Sequence, residues 1–179
     1  MFLIKSEEKH ALCPKCGEQL EYHSTIKRNL KEITGEKNTY GIRVLKCVNE
    51  ACPTTYHREL PDIMIAYKRY DAASIEETLT NSHYEITVGA DESTIWRWRK
   101  WFTMNAVQII MALISVLITI DDKAETASLE IKNQKTNNSI ERIKKILKRS
   151  TKWLSETTRI LVNSSKWIFN RSAYLVSRV

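Results

Sequence analysis

Cys13-Pro14-Lys15-Cys16-Gly17, then, thirty residues on, Cys47-Val48-Asn49-Glu50-Ala51-Cys52: this double pair decides how the N-terminal part folds. Two short cysteine pairs, each on one turn, suit a tetrahedral metal site, and four thiolates leave no open position for catalysis. The chain between them supplies strands that bring the pairs together. Leu20 to Ile33 and Thr39 to Cys47 read as strands, with a turn at Gly35-Glu36-Lys37-Asn38. The expectation is one structural Zn2+ on Cys13, Cys16, Cys47 and Cys52, which supplies folding energy to a module too small for its own core. Iron stays open as an alternative, although closed four-thiolate sites of this kind most often hold zinc. His10 and His57 are near enough to substitute, but four cysteines make that unnecessary, and both read as surface or packing residues.

Outward from the cysteines, the chain of 179 residues is one domain or two small ones. Only 4 Gly and 3 Pro disfavour a loop-rich sandwich and favour long helices, so the fold class expected is α+β, mostly α. The net charge of +7 is unevenly placed: residues 1–120 hold 15 Lys/Arg against 15 Asp/Glu, and residues 121–179 hold 13 against 6. A local basic surplus suits nucleic acid or an anionic surface. Residues 1–10 carry no long apolar stretch, so a reducing, cytoplasmic setting and metal-bound thiols are expected.

A family resemblance appears in residues 45–79. The second knuckle (Cys47, Asn49, Cys52), then Tyr56, Glu59-Leu60-Pro61, Tyr67 and Arg69, resembles the N-terminal zinc ribbon of bacterial insertion-sequence transposases. The whole chain resembles a small group of mobile-element-associated proteins ending in an Arg-Ser-Ala-aromatic motif, here Arg171-Ser172-Ala173-Tyr174. The resemblance spans roughly residues 10–103 and, loosely, the C-terminus. It implies a ribbon and link over 1–70, a helix-turn-helix over 71–103 and recognition of duplex DNA, and it brings no catalytic residues.

Asp91 to Phe102 reads as the recognition helix. Asp91 is a good N-cap, and Glu92 suits the first turn. Ile95, Trp98 and Phe102 share the inward face at 100° per residue, which turns Ser93, Trp96, Arg97 and Lys100 outward. Ser93 and Thr94 are placed to contact phosphate or base edges, Arg97 to pair with guanine, and Lys100 to touch phosphate. Trp96 and Trp101 are placed to clamp sugars or to pack on a neighbour. Two features depart from the implied unit. His83 to Val88 favours strand where a middle helix should lie, and residues 71–103 hold 3 basic against 6 acidic residues.

Residues 104–179 read as helical. Met104 to Ile120 is a borderline length for a membrane span, which needs about 20 apolar residues. A span there would leave the basic tail outside, against the positive-inside tendency, and a buried helix explains the run equally well. From Ile140 on, apolar pairs recur every seven residues, Ile146/Leu147, Trp153/Leu154, Ile160/Leu161, Trp167/Ile168 and Tyr174/Leu175, a sustained stripe that reads as a helix lying in a long groove. Such basic amphipathic helices over 139–178 are expected to pack against 104–120, with Lys144, Lys145, Lys148, Arg149 and Lys152 largely off the stripe.

No catalytic constellation is legible, so the sequence points to a zinc-stabilised, nucleoid-associated DNA-binding protein rather than an enzyme. Its expected partners are duplex DNA and a homo-oligomer or transposase. A membrane-associated or partner-binding protein with a structural ribbon is the alternative.

Overall fold

A computed structural model describes residues 2–3, 11–82, 85–120 and 138–164. The architecture is α+β, mostly α: a small sheet followed by helices. Strands β2 (Leu20–Lys31) and β3 (Lys37–Cys47) form the expected hairpin, antiparallel from Leu20 opposite Cys47 to Lys31 opposite Lys37, with one irregularity between Tyr22 and Ser24. Gly35, at φ +87°, supplies the left-handed backbone that the tight turn needs. On the far edge of β3 lie β1 (Phe2–Leu3), parallel at Tyr40 and Gly41, and β4 (Tyr56–Arg58), antiparallel at Val44 to Lys46. β3 is therefore central, and its Tyr40 and Ile42 join Leu30 and Met64 in a small core.

Residues 59–71 run back across the sheet. The N–H groups of Lys31 and Asp71 donate to the carbonyls of Arg69 and Lys31, at 2.8 and 2.9 Å. Arg28 donates to the carbonyls of Ile65 (3.1 Å) and Lys68 (2.9 Å). Further on, Gly89 N–H reaches the Ile33 carbonyl at 3.0 Å, and a Cβ on Gly89 would stand 3.1 Å from Gly35 Cα. The boundary expected near residue 70 is thus laced across from both sides.

Four helices follow among the described residues: α1 (Ala72–Thr80), α2 (Glu92–Ile120), α3 (Ser139–Leu147) and α4 (Trp153–Asn163). Asp71 caps α1 by accepting from Ser74 N–H, Asp91 caps α2 by accepting from Thr94 N–H, and Asn138 caps α3 by accepting from Ile140 N–H. α4 has no side-chain cap of its own. Glu76 of α1 fills that role, accepting from the N–H groups of Lys152 (2.7 Å) and Leu154 (2.9 Å). The main core joins Tyr70 to Trp98 and Phe102 to Trp153, with ring centroids 4.9 and 5.6 Å apart. It continues through Ile109, Ile110, Leu113 and Ile114 against Ile143, Ile146, Leu154 and Leu161. The apolar run and the basic amphipathic helices do bury each other's surfaces.

Three expectations need correction. The boundary set at 103–104 falls inside α2, because nothing between Phe102 and Met104 breaks a helix. The seven-residue stripe is not one rod: α3 ends in left-handed Lys148 (φ 53°) and α4 starts after left-handed Lys152 (φ 56°). Ile146 and Trp153 therefore reach the same core from two helices. Finally, no helix of the middle kind lies between α1 and α2 among the described residues, and the chain positions that separate the two helices far outnumber the three or four residues of a tight turn. The stripe beyond residue 164, with Trp167/Ile168 and Tyr174/Leu175, and the Arg171–Tyr174 motif lie outside the described residues, as does the expected helical reach to 178.

Candidate metal centre and recognition helix

The hairpin and its flanking knuckles bring the four cysteines together. Cys13 Sγ lies 3.7 Å from Cys52 Sγ, Cys16 Sγ lies 3.5 Å from Cys47 Sγ, and all four sulfurs are within 4.8 Å of one another. In the first knuckle Gly17, at φ +78°, returns its N–H to the Cys13 carbonyl at 2.8 Å. In the second, Asn49 accepts from Ala51 N–H at 2.9 Å through its side chain, and from Cys52 N–H at 3.0 Å through its carbonyl. Asn49 is thus a turn-former that positions Cys52.

The thiols are unequal. The backbone N–H of Glu18 draws Cys16 down to about 7, whereas burial pushes Cys47 up to about 12. Four neighbouring thiolates repel one another, so the set ionises together only around a cation. The cluster is thus a possible site for one metal ion with four sulfur ligands.

His57 also reaches the centre. Its Nε2 lies 3.3 Å from Cys13 Sγ and 3.0 Å from the Thr54 carbonyl. Burial holds the half-buried imidazole below its ordinary value, which favours a neutral ring. The alternation of β4 explains the placement: His57 pairs with Leu45 on the sheet face that carries Cys47, while Tyr56 and Arg58 face the other way.

Around the start of α2, the residues expected to contact DNA fall into two groups. Ser93 Oγ donates to Asp91, and Thr94 gives Asp91 both its N–H and its hydroxyl, which together hold the Asp91 carboxyl down to about 2. Arg97 folds back over this turn, donating from Nε to the Ser93 carbonyl at 3.1 Å and from Nη2 to Thr94 Oγ1 at 2.9 Å. Beside them, Lys100 Nζ stands 4.8 Å above the ring of Trp96, which is 60% exposed. Ile95, Trp98 and Phe102 are buried as expected, so Ser93, Trp96, Arg97 and Lys100 do turn outward. Trp101 packs under Lys68, with Nζ 4.3 Å from the ring centroid.

Sequence reasoning missed Glu76 and Arg99, and it left His57 as a surface or packing residue, whereas its ring faces Cys13 Sγ. Arg99 donates to the carbonyls of Thr78 (3.2 Å) and Asn81 (2.9 Å), which seats α2 against the end of α1. Glu76 and Arg99 carry no local signal, because each acts on a segment at least 18 residues away.

Residues 13–98 match the family described as Domain of unknown function (DUF6431), a span that runs from the first cysteine to Trp98 in α2. No curated protein and no solved structure matches the chain.

Proposed function

We propose that the chain is a zinc-stabilised DNA-binding protein without catalytic activity, which presents the first turns of α2 to duplex DNA. A tetrahedral zinc ion with Zn–S bonds of about 2.3 Å has sulfur–sulfur edges of about 3.8 Å. The separations of 3.7 and 3.5 Å within the cysteine cluster fit that figure. Such an ion is structural: it closes the ribbon on which α1 and α2 are mounted.

The observation that carries the DNA reading is the outward set on α2. Ser93, Arg97 and Lys100 stand on one exposed face within about two turns of a helix start, with half-buried Thr94 beside them, while Ile95, Trp98 and Phe102 anchor the opposite side. Recognition rests on α2 alone, not on a compact helix-turn-helix. The resemblance to insertion-sequence transposases supports a role as a mobile-element accessory or regulatory protein, cytoplasmic and nucleoid-associated, acting as a homo-oligomer or with a transposase. Selection from a random duplex pool, with and without a chelator, tests it. Enrichment of a motif that the chelator abolishes is expected; retention without any enriched motif overturns sequence reading.

A second reading has its own observation. Met104 and Val107 are 71% and 70% exposed, and with Met111 they form an apolar strip on α2, a helix long and apolar enough to cross a membrane. This favours a membrane or a protein partner over DNA. Pelleting of the expressed chain that survives carbonate extraction would support it, and recovery in the supernatant would end the membrane version.

A further inference from the structure

The sheet has one face that the metal centre does not use. In the strand register Arg28 lies opposite Tyr40, Arg58 opposite Val44, and Tyr56 opposite Lys46, all on one face. Cys47, Leu45 and His57 lie on the other. The link through Met64 covers the Leu30–Tyr40–Ile42 end of the first face. Its other end is open: Arg58, Lys46 and Tyr56 are exposed, and His23 stands edge-on to Tyr56 with ring centroids 4.9 Å apart. Glu21 lies opposite Lys46 and offsets it.

Arg28 sits at the border between the covered and open halves. Its guanidinium is half-buried and pinned by the carbonyls of Ile65 and Lys68. Burial first, and then the charge of Arg58, lower its hold on its proton. Neither arginine has an ion-pair partner among the described residues. Arg28 pairs at Tyr40 and Arg58 at Val44, four positions apart along the same face of β3, so a run of successive phosphates can meet one guanidinium after the other. The basic path continues past them. Lys68, whose carbonyl Arg28 holds, lays its ammonium over Trp101, and Trp101 is one turn along α2 from Arg97.

We propose that Arg58, Arg28 and Lys68 form a phosphate-binding track from the open half of the sheet to α2, along which the phosphodiester backbone flanking a bound duplex site runs. This rests on the DNA reading of α2 and extends it: α2 supplies base contacts and the track supplies sequence-independent affinity. Arg28 is the pre-organised member, because its side chain is already fixed by the protein. Arg58 and Lys68 are the adaptable ones.

The experiment is a salt titration of duplex binding by the full metal-loaded chain and its Arg58→Gln, Lys68→Gln and Lys27→Gln variants. Lys27 is the control: it lies on the same strand as Arg28, opposite Gly41, on the other face. For one lost phosphate contact, affinity should fall about fivefold near physiological salt, and the slope of log affinity against log salt should shrink by about 1. Arg58→Gln and Lys68→Gln should each show this, equally on selected and random duplexes, with unchanged metal content, and Arg58→Gln with an unchanged melting temperature. Lys27→Gln should match the unaltered chain. Unchanged slopes for Arg58→Gln and Lys68→Gln, or an equal loss in Lys27→Gln, overturn the track while leaving the α2 reading intact. Failure of the unaltered chain to retain any duplex sinks the α2 reading and the track with it.

Discussion

Arg99 of α2 donates through Nη2 to the carbonyl of Asn81 at 2.9 Å, and through Nε to that of Thr78 at 3.2 Å. One side chain thus satisfies acceptors at the end of α1 and fixes how α2 leaves it. Arg99→Ala strands these carbonyls and is expected to cost about 1–3 kcal/mol in urea unfolding. Arg99→Lys should recover little, because a single ammonium cannot reproduce the two-pronged geometry. Full recovery with lysine would show that charge alone matters.

Metal analysis of the purified chain should return one zinc per chain. Cys16→Ser and Cys47→Ser should each abolish its retention. A strong chelator should remove the strand signal in circular dichroism, because the knuckles close the sheet and metal binding is coupled to its folding. An unaltered spectrum after verified metal removal would mean that the hairpin holds without the ion.

His57→Ala removes the ring whose Nε2 faces Cys13 Sγ at 3.3 Å. Partners of metal ligands typically tune affinity by about 10–100-fold, and a loss in that range is expected in competition with a chromogenic chelator. Retention at the unaltered affinity would make His57 a packing residue only.

Glu76 ties α1 to the start of α4, yet burial raises its pKa above the ordinary 4.5. The folded state therefore binds this proton more readily than the unfolded chain. The resulting contribution to stability is complete below 4.5 and is lost as pH rises through the raised folded value. Glu76→Gln should lack this segment of the stability–pH curve. Glu76→Ala, which leaves two helix-start N–H groups without their acceptor, should cost about 1–3 kcal/mol at every pH.

Arg97→Ala is expected to weaken binding to a selected duplex by about 1–3 kcal/mol and to relax preference at one base position. Equal losses on selected and random duplexes would remove Arg97 from base reading and leave it a phosphate contact.

The sequence made the local features legible. Paired cysteine spacing announced the cluster, two strand-like stretches joined by the Gly35–Asn38 turn announced the hairpin, and Asp91 announced the start of α2. The facing apolar surfaces of 104–120 and of Ile143, Ile146, Trp153 and Leu161 also found each other as expected. The break at 148–152 was not legible, since Lys148 and Lys152 adopt left-handed backbone without Gly, Asn or Pro to mark it. Glu76 and Arg99 stayed hidden for another reason. Their partners are main-chain groups brought near only by the tertiary fold, and a main-chain N–H or carbonyl leaves no trace in residue identity.

α2 runs unbroken for 29 residues, about 43 Å at 1.5 Å per residue. It contains no glycine or proline, so it offers no joint between the outward Trp96 and the buried Val116. It behaves as a lever. Arg99 and Trp98 hold its exposed end to α1 and Tyr70, α3 and α4 grip it further along, and whatever displaces either grip re-aims Trp96, Arg97 and Lys100 together.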